Sequence, residues 1–108
     1  MTKTNSLTQA ILKYLNYSGK YVAWRNGSHA VYSVTRKAFL KNPTTKLGIP
    51  DILGYRKSDS RFLAIEIKTG KDKLSLEQVS FIQEAKKSLC ICFVASDFDQ
   101  FLAELKKY

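Results

Sequence analysis

Gly48-Ile49-Pro50-Asp51-Ile52-Leu53-Gly54-Tyr55 and, after a short polar turn, Phe62-Leu63-Ala64-Ile65-Glu66-Ile67-Lys68 form the stretch that decides how this chain folds. Each half reads as an apolar strand bounded by turn-forming residues. The first starts on an Asp, and the second ends on a Glu and a Lys two residues apart. Charged side chains are rarely buried in apolar strands unless they pair or hold a metal. Side chains alternate between the faces of a strand, so Glu66 and Lys68 project from the same face. A hairpin brings Asp51 alongside them. Two carboxylates with an ammonium beside them point to a divalent-metal site of the kind a phosphodiesterase needs.

Working outward, Leu7, Ala10, Ile11, Tyr14 and Leu15 form an apolar stripe at helical spacing and predict a helix over residues 5–16. Ser6 with Gln9 reads as its cap and Gly19 as its stop. Residues 20–25 and 29–35 read as strands joined through Asn26-Gly27. Residues 36–49 read as a basic connection, with loop signals at Asn42-Pro43 and Leu47-Gly48. Strands at 51–56 and 61–68 are followed by Gly70 and a helix over 75–88, marked by Leu76, Val79, Ile82, Ala85 and Leu89. The continuous apolar run Leu89–Ala95 predicts a strand buried on both faces. Phe98, Phe101, Leu102 and Leu105 predict a last helix, capped by Ser96 or Asp97. The order α-β-β-β-β-α-β-α gives an α/β fold, a mixed sheet flanked by helices. Its one crossover, from 61–68 through 75–88 to 89–95, is expected to be parallel and right-handed.

At 108 residues, 44% hydrophobic, the chain has the length and composition of one globular domain, residues 1–108. No apolar run approaches the ~20 residues of a membrane span, and no signal-peptide core opens the chain. Cys90 and Cys92 alternate within an apolar run, so they read as small core residues in a reducing, cytoplasmic setting, bacterial or viral in a host. The first 50 residues carry eight basic residues and no acid, while the other 58 carry ten basic and nine acidic ones. Nearly all of the net +9 therefore lies in the N-terminal half, as on a nucleic-acid-binding surface. A membrane surface fits less well, because no single helix gathers the charge on one face.

Gly48-Ile49-Pro50-Asp51, Glu66-Ile67-Lys68 and Gln78 on the following helix together resemble the VRR-NUC branch of the PD-(D/E)XK nucleases. That branch is similar to the Holliday-junction resolvases of archaea. The resemblance covers most of the chain and implies a restriction-endonuclease-like fold. It makes Asp51, Glu66, Lys68 and Gln78 the catalytic set, with Gln78 orienting Lys68 or the nucleophilic water. Ser75-Leu76-Glu77-Gln78 also fits a capping box, so a purely structural Gln78 stays open. Many relatives carry a Glu on the first helix. Here no acid precedes Asp51, and Gln9 or Asn5 is the nearest candidate, which favours one tightly held metal.

Chemistry assigns the remaining roles. Mg²⁺, or Mn²⁺ in its place, takes oxygen ligands, here the carboxylates of Asp51 and Glu66 and the backbone carbonyl of Ile67. Lys68 positions the attacking water or stabilises developing negative charge. Lys46, Lys71 and Lys73 are placed to hold phosphates, and Arg25, Arg36 and Lys37 extend that track. Trp24, Tyr32 and Tyr55 read as core aromatics, with base stacking the less favoured role for Trp24. His29 is the only histidine, which disfavours two-histidine mechanisms. The expected partners are DNA, branched as the resemblance implies, and a second copy of the chain, since symmetrical cuts need two sites. No membrane and no small-molecule cofactor is expected. A DNA-binding module with a vestigial site and a restriction- or repair-type nuclease without junction selectivity are the alternatives.

Overall fold

The computed structural model describes residues 2–27, 31–40 and 46–108, with side chains described for all of these except 31–33 and 38–40. Its elements run α1 (Lys3–Tyr17), β1 (Tyr21–Arg25), β2 (Val31–Ser33), β3 (Ala38–Leu40), β4 (Ile52–Arg56), β5 (Phe62–Ile67), α2 (Leu76–Lys87), β6 (Ile91–Ala95) and α3 (Phe98–Leu105). Four strands form a mixed sheet in the order β1-β4-β5-β6, antiparallel except for the parallel β5–β6 pair. That is the α/β architecture expected, with one more strand.

The extra strand comes from the segment expected to be a basic connection, where Ala38–Leu40 pairs with Val31–Ser33 in a separate two-stranded sheet. The expected hairpin through Asn26-Gly27 does not form between residues 20–25 and 31–33: β1 pairs instead with β4. The reason is burial. Pairing Ala23 with Gly54 and Arg25 with Ile52 places Tyr21 and Ala23 on the face that packs against α1. Asn26 extends the ladder, its N–H donating to the Asp51 carbonyl at 2.7 Å. His29 and Asn42-Pro43 lie outside the described residues, as does the Tyr32 side chain.

Alternation divides the sheet into two unequal sides. Ile52, Leu63, Ile65, Ile67, Ile91, Phe93 and Ala95 meet Leu7, Ile11 and Leu15 of α1 and Phe101 and Leu105 of α3. Each such aliphatic or aromatic side chain is worth about 1.5–3 kcal/mol when fully buried, so stability is concentrated on this side. On the opposite side, Ala64 and Cys92 meet Ile82 and Ala85 of α2, with Leu53, Leu74 and Phe81 half-buried against them. Because α2 lies over β5 and β6, the β1 and β4 half of that face stays largely open beyond Leu53. Trp24 is 46% exposed and Tyr55 41% exposed, where core positions were expected.

Local chemistry sets the ends. Thr2, not Ser6, caps α1, accepting from the Asn5 N–H at 3.1 Å, so the helix begins before its apolar stripe. The Asn16 amide covers edge strand β1, donating to the Ala23 carbonyl and accepting from its N–H, both at 3.0 Å. It substitutes for a missing neighbouring strand. Asp97 caps α3. α2 ends in a Schellman turn, with Leu89 N–H bonded to Lys86 and Cys90 N–H to Ala85. Leu89 therefore sits at φ +64°, and β6 begins at Ile91, two residues later than its apolar run suggests.

The left-handed conformation at Leu89 disfavours any residue with a Cβ. Leu89→Gly is expected to stabilise the protein by about 1 kcal/mol, visible as a rise of several degrees in Tm. An unchanged or lower Tm would show that no strain is stored there. Among the described residues, no helix is long and apolar enough to cross a membrane.

Candidate active site

The entry to β4 explains why the motif opens on a glycine. Gly48 has φ +79°, and a Cβ there would lie 2.4 Å from the backbone carbon and oxygen of Glu77. The chain thus presses against the first turn of α2 where only hydrogen fits. Pro50 is fully buried beyond it and leads directly into Asp51. Gly48→Ala meets both a backbone penalty and a backbone clash, and is expected to destabilise the protein by about 2–4 kcal/mol. Urea denaturation measures this; a change below about 0.5 kcal/mol, the scale of an ordinary surface substitution, would show that this contact does not fix the loop.

The pairing of Ile52 with Ile65 sets Asp51 across from Glu66 in the antiparallel ladder. Asp51 Oδ2 accepts a hydrogen bond from the Ile67 N–H at 2.8 Å. In a strand, a residue's N–H and C=O leave on the same edge, so the Ile67 carbonyl also faces Asp51. One residue thereby fixes the carboxylate and points a third oxygen toward the same place.

Glu66 is the buried charged residue among those described, at 3% exposure. Its Oε1 accepts from Gln78 Nε2 at 3.2 Å, while its buried Oε2 receives no N–H or O–H donor from the protein. Burial first, and then the hydrogen bond and charge of Asp51, push its carboxyl up to about 8, with Lys68 opposing. Near neutral pH Glu66 therefore retains a proton, and only with that proton can it donate to Asp51. A buried carboxyl oxygen without a protein donor, a second carboxylate and a facing carbonyl fit a hard divalent cation, which would take the proton's place. Among the described residues, no three His, Cys, Asp or Glu side chains converge. Such an ion would keep several waters.

Gln78 closes the capping box that its spacing from Ser75 allows. Its N–H donates to Ser75 Oγ at 3.1 Å and its Oε1 accepts from Ser75 N at 2.8 Å, closing the capping box. The free end of the same amide reaches Glu66, not Lys68. Lys68 follows β5 directly, anchored through its N–H to the Ala95 carbonyl at 3.0 Å. Its ammonium is near enough to act on the Glu66 carboxyl.

The first helix contributes differently from expectation. Gln9 and Asn5 face solvent, because the inward face of α1 carries Leu7, Thr8, Ile11 and Leu15. Thr8 donates to the Thr4 carbonyl at 2.7 Å, and the hydroxyls of Thr4 and Thr69 lie 2.7 Å apart. This contact ties the start of α1 to the residue after Lys68. The signal was present in the sequence as two threonines at i and i+4 on the apolar stripe.

Of the basic residues, Lys71 and Lys73 are exposed in the segment joining Lys68 to α2, and Lys46 is exposed before Gly48. Arg25 is exposed at the end of β1, in register with Ile52. Arg36 and Lys37 occupy the turn between β2 and β3, outside the four-stranded sheet. A groove of about 630 Å³ runs from Phe62 along α2 past Lys46 and Leu76, and neither Asp51 nor Glu66 lines it. Cys92 is fully buried, and burial raises its thiol to about 11, consistent with a core residue.

A mixed sheet with α1 and α3 on one face and α2 on the other defines a restriction-endonuclease-like fold. The VRR-NUC domain matches residues 3–97, and the chain belongs to that family of PD-(D/E)XK nucleases. Among solved structures, it is similar to Hjc of Archaeoglobus fulgidus, a Holliday junction resolvase from an archaeal hyperthermophile. That likeness has 22% identity and a TM-score of 0.52, covers 86% of this chain and 67% of the other, and concerns the fold. No curated protein matches the chain significantly.

Proposed function

We propose that the protein is a divalent-metal-dependent endodeoxyribonuclease that hydrolyses phosphodiester bonds in branched DNA as a homodimer. The observation that carries this reading is the buried Glu66 carboxyl, its Oε2 without an N–H or O–H donor, beside Asp51 and within the influence of Lys68. Asp51, Glu66 and the Ile67 carbonyl would hold Mg²⁺ or Mn²⁺, which when bound supplies Lewis acidity toward phosphate and water. Asp51 and Glu66 fix the ligand geometry, and Gln78 locks the Glu66 rotamer. Lys68 steadies the attacking water and the negative charge that develops on phosphoryl oxygens. Lys46, Lys71, Lys73 and Arg25, with Arg36 and Lys37 further along, hold the backbone by charge and carry no base information. Family membership and a fold shared with a junction resolvase support the substrate class. A two-fold dimer accounts for paired cuts on a symmetrical junction.

The test is cleavage of duplex, single-stranded, flap and four-way-junction DNA with Mg²⁺ or Mn²⁺, combined with light scattering. Preferential cutting of branched DNA by a dimer is expected. Binding without cutting on every substrate would identify a module with a vestigial site, and a monomer with and without DNA would exclude paired resolution. Affinity should also fall steeply with salt.

A further inference from the structure

Trp24 is the single tryptophan of the chain, and it is 46% exposed. It lies on edge strand β1 opposite Leu53, on the side of the sheet that carries Asp51 and Glu66. Asp51 is its diagonal neighbour across the β1–β4 pair, a separation of about 7–8 Å that an indole spans. Tyr55, 41% exposed, stands diagonally on the other side of Trp24, and it pairs directly with the exposed Phe62. Three aromatic side chains thus follow one another across the open face, beginning beside the catalytic carboxylates. α2 covers neither Trp24 nor Tyr55, and Arg25 adjoins Trp24 in sequence.

We infer that Trp24 stacks on an unpaired nucleobase next to the scissile phosphate, with Tyr55 receiving the following base. Nucleic acid is the occupant that the surroundings select. The first 50 residues carry eight basic residues and no acid, so the strand bearing Trp24 belongs to the positive half of the sequence. Within a continuous duplex each base has both faces covered by its neighbours. Only an unstacked base offers a free face to an aromatic ring. An exposed indole beside the cleavage centre therefore favours single strands, flaps and branch points, whichever sequence they carry. The inference rests on the nuclease reading for the identity of the site, and it adds a residue that selects among DNA structures.

Trp24 also provides its own probe, because its fluorescence reports stacking without any cleavage. The full chain in EDTA is titrated with single-stranded, flap and continuous duplex oligonucleotides, and saturation is checked by anisotropy of labelled DNA. Strong quenching by the single strand and the flap, and weak quenching by the duplex, is expected. Trp24→Ala should weaken binding to the flap by about 5- to 100-fold, whereas Trp24→Phe should keep most of the affinity. Saturation without quenching would overturn the inference, as would equal quenching by continuous duplex or full affinity in Trp24→Ala. Parallel cleavage assays in Mg²⁺ keep the two readings apart. Quenching without cleavage removes the nuclease and leaves the stacking site, while cleavage without quenching removes only the stacking site.

Discussion

Asp51→Asn and Lys68→Ala are each expected to slow metal-dependent DNA cleavage by about 10²–10⁴-fold, while both variants stay folded. The asparagine keeps an oxygen that can accept the 2.8 Å hydrogen bond from Ile67 N–H, so the β4–β5 junction is preserved. What disappears is the negative charge that would hold a cation. At position 68 the backbone does the structural work, through the N–H bond to Ala95, and the side chain is only half-buried. Its truncation therefore removes an ammonium and little packing. Initial rates with each metal, alongside circular dichroism and melting curves, separate chemistry from folding. DNA binding should persist or strengthen in Asp51→Asn, since one carboxylate that repels phosphate has been neutralised. Cutting within about tenfold of the parent in both variants would place the active site elsewhere, because that loss matches only ~1.4 kcal/mol of transition-state stabilisation.

The strands that carry the candidate site were legible because their signals are local. Period-two alternation sets Glu66 and Lys68 on one face, and Ser75 with Gln78 three residues on marks the helix start that reaches Glu66. Features that depend on distant partners were not. Asn26-Gly27 reads locally as a hairpin, yet β1 follows the larger core offered by Ile52 and α1 and pairs with β4. The side chain of Asp51 finds a backbone N–H sixteen residues away, a bond no spacing rule predicts. Trp24 resembled a core residue by composition, but whether it is covered depends on where α2 lies, and α2 sits over β5 and β6. Thr8 was overlooked for the opposite reason: a hydroxyl that satisfies itself on Thr4 can occupy an apolar stripe without interrupting it.

Glu66 leads to the second large effect, on stability and metal binding together. Burial and Asp51 hold its carboxyl near 8 in the folded, metal-free protein, against 4.5 for the same group unconstrained. Below about pH 4.5 both states carry the proton, and the contribution to stability is fully present. Between there and about pH 8 the unfolded chain releases it while the folded one retains it, so stability falls as pH rises. Above that range both states are ionised and the loss is complete, on the order of 3–5 kcal/mol. Urea denaturation in EDTA across this window should show the decline. Glu66→Gln should flatten it and exceed the parent at the alkaline end, because a neutral amide can donate to Asp51 as the protonated acid does. Adding Mg²⁺ should restore stability to the parent increasingly with pH, since the ion competes with the proton for the same oxygens, and should do little for Glu66→Gln. A stability flat across the window, or a decline that survives in Glu66→Gln, would show that the buried carboxyl is ionised without metal and that the paired carboxylates do not await a cation.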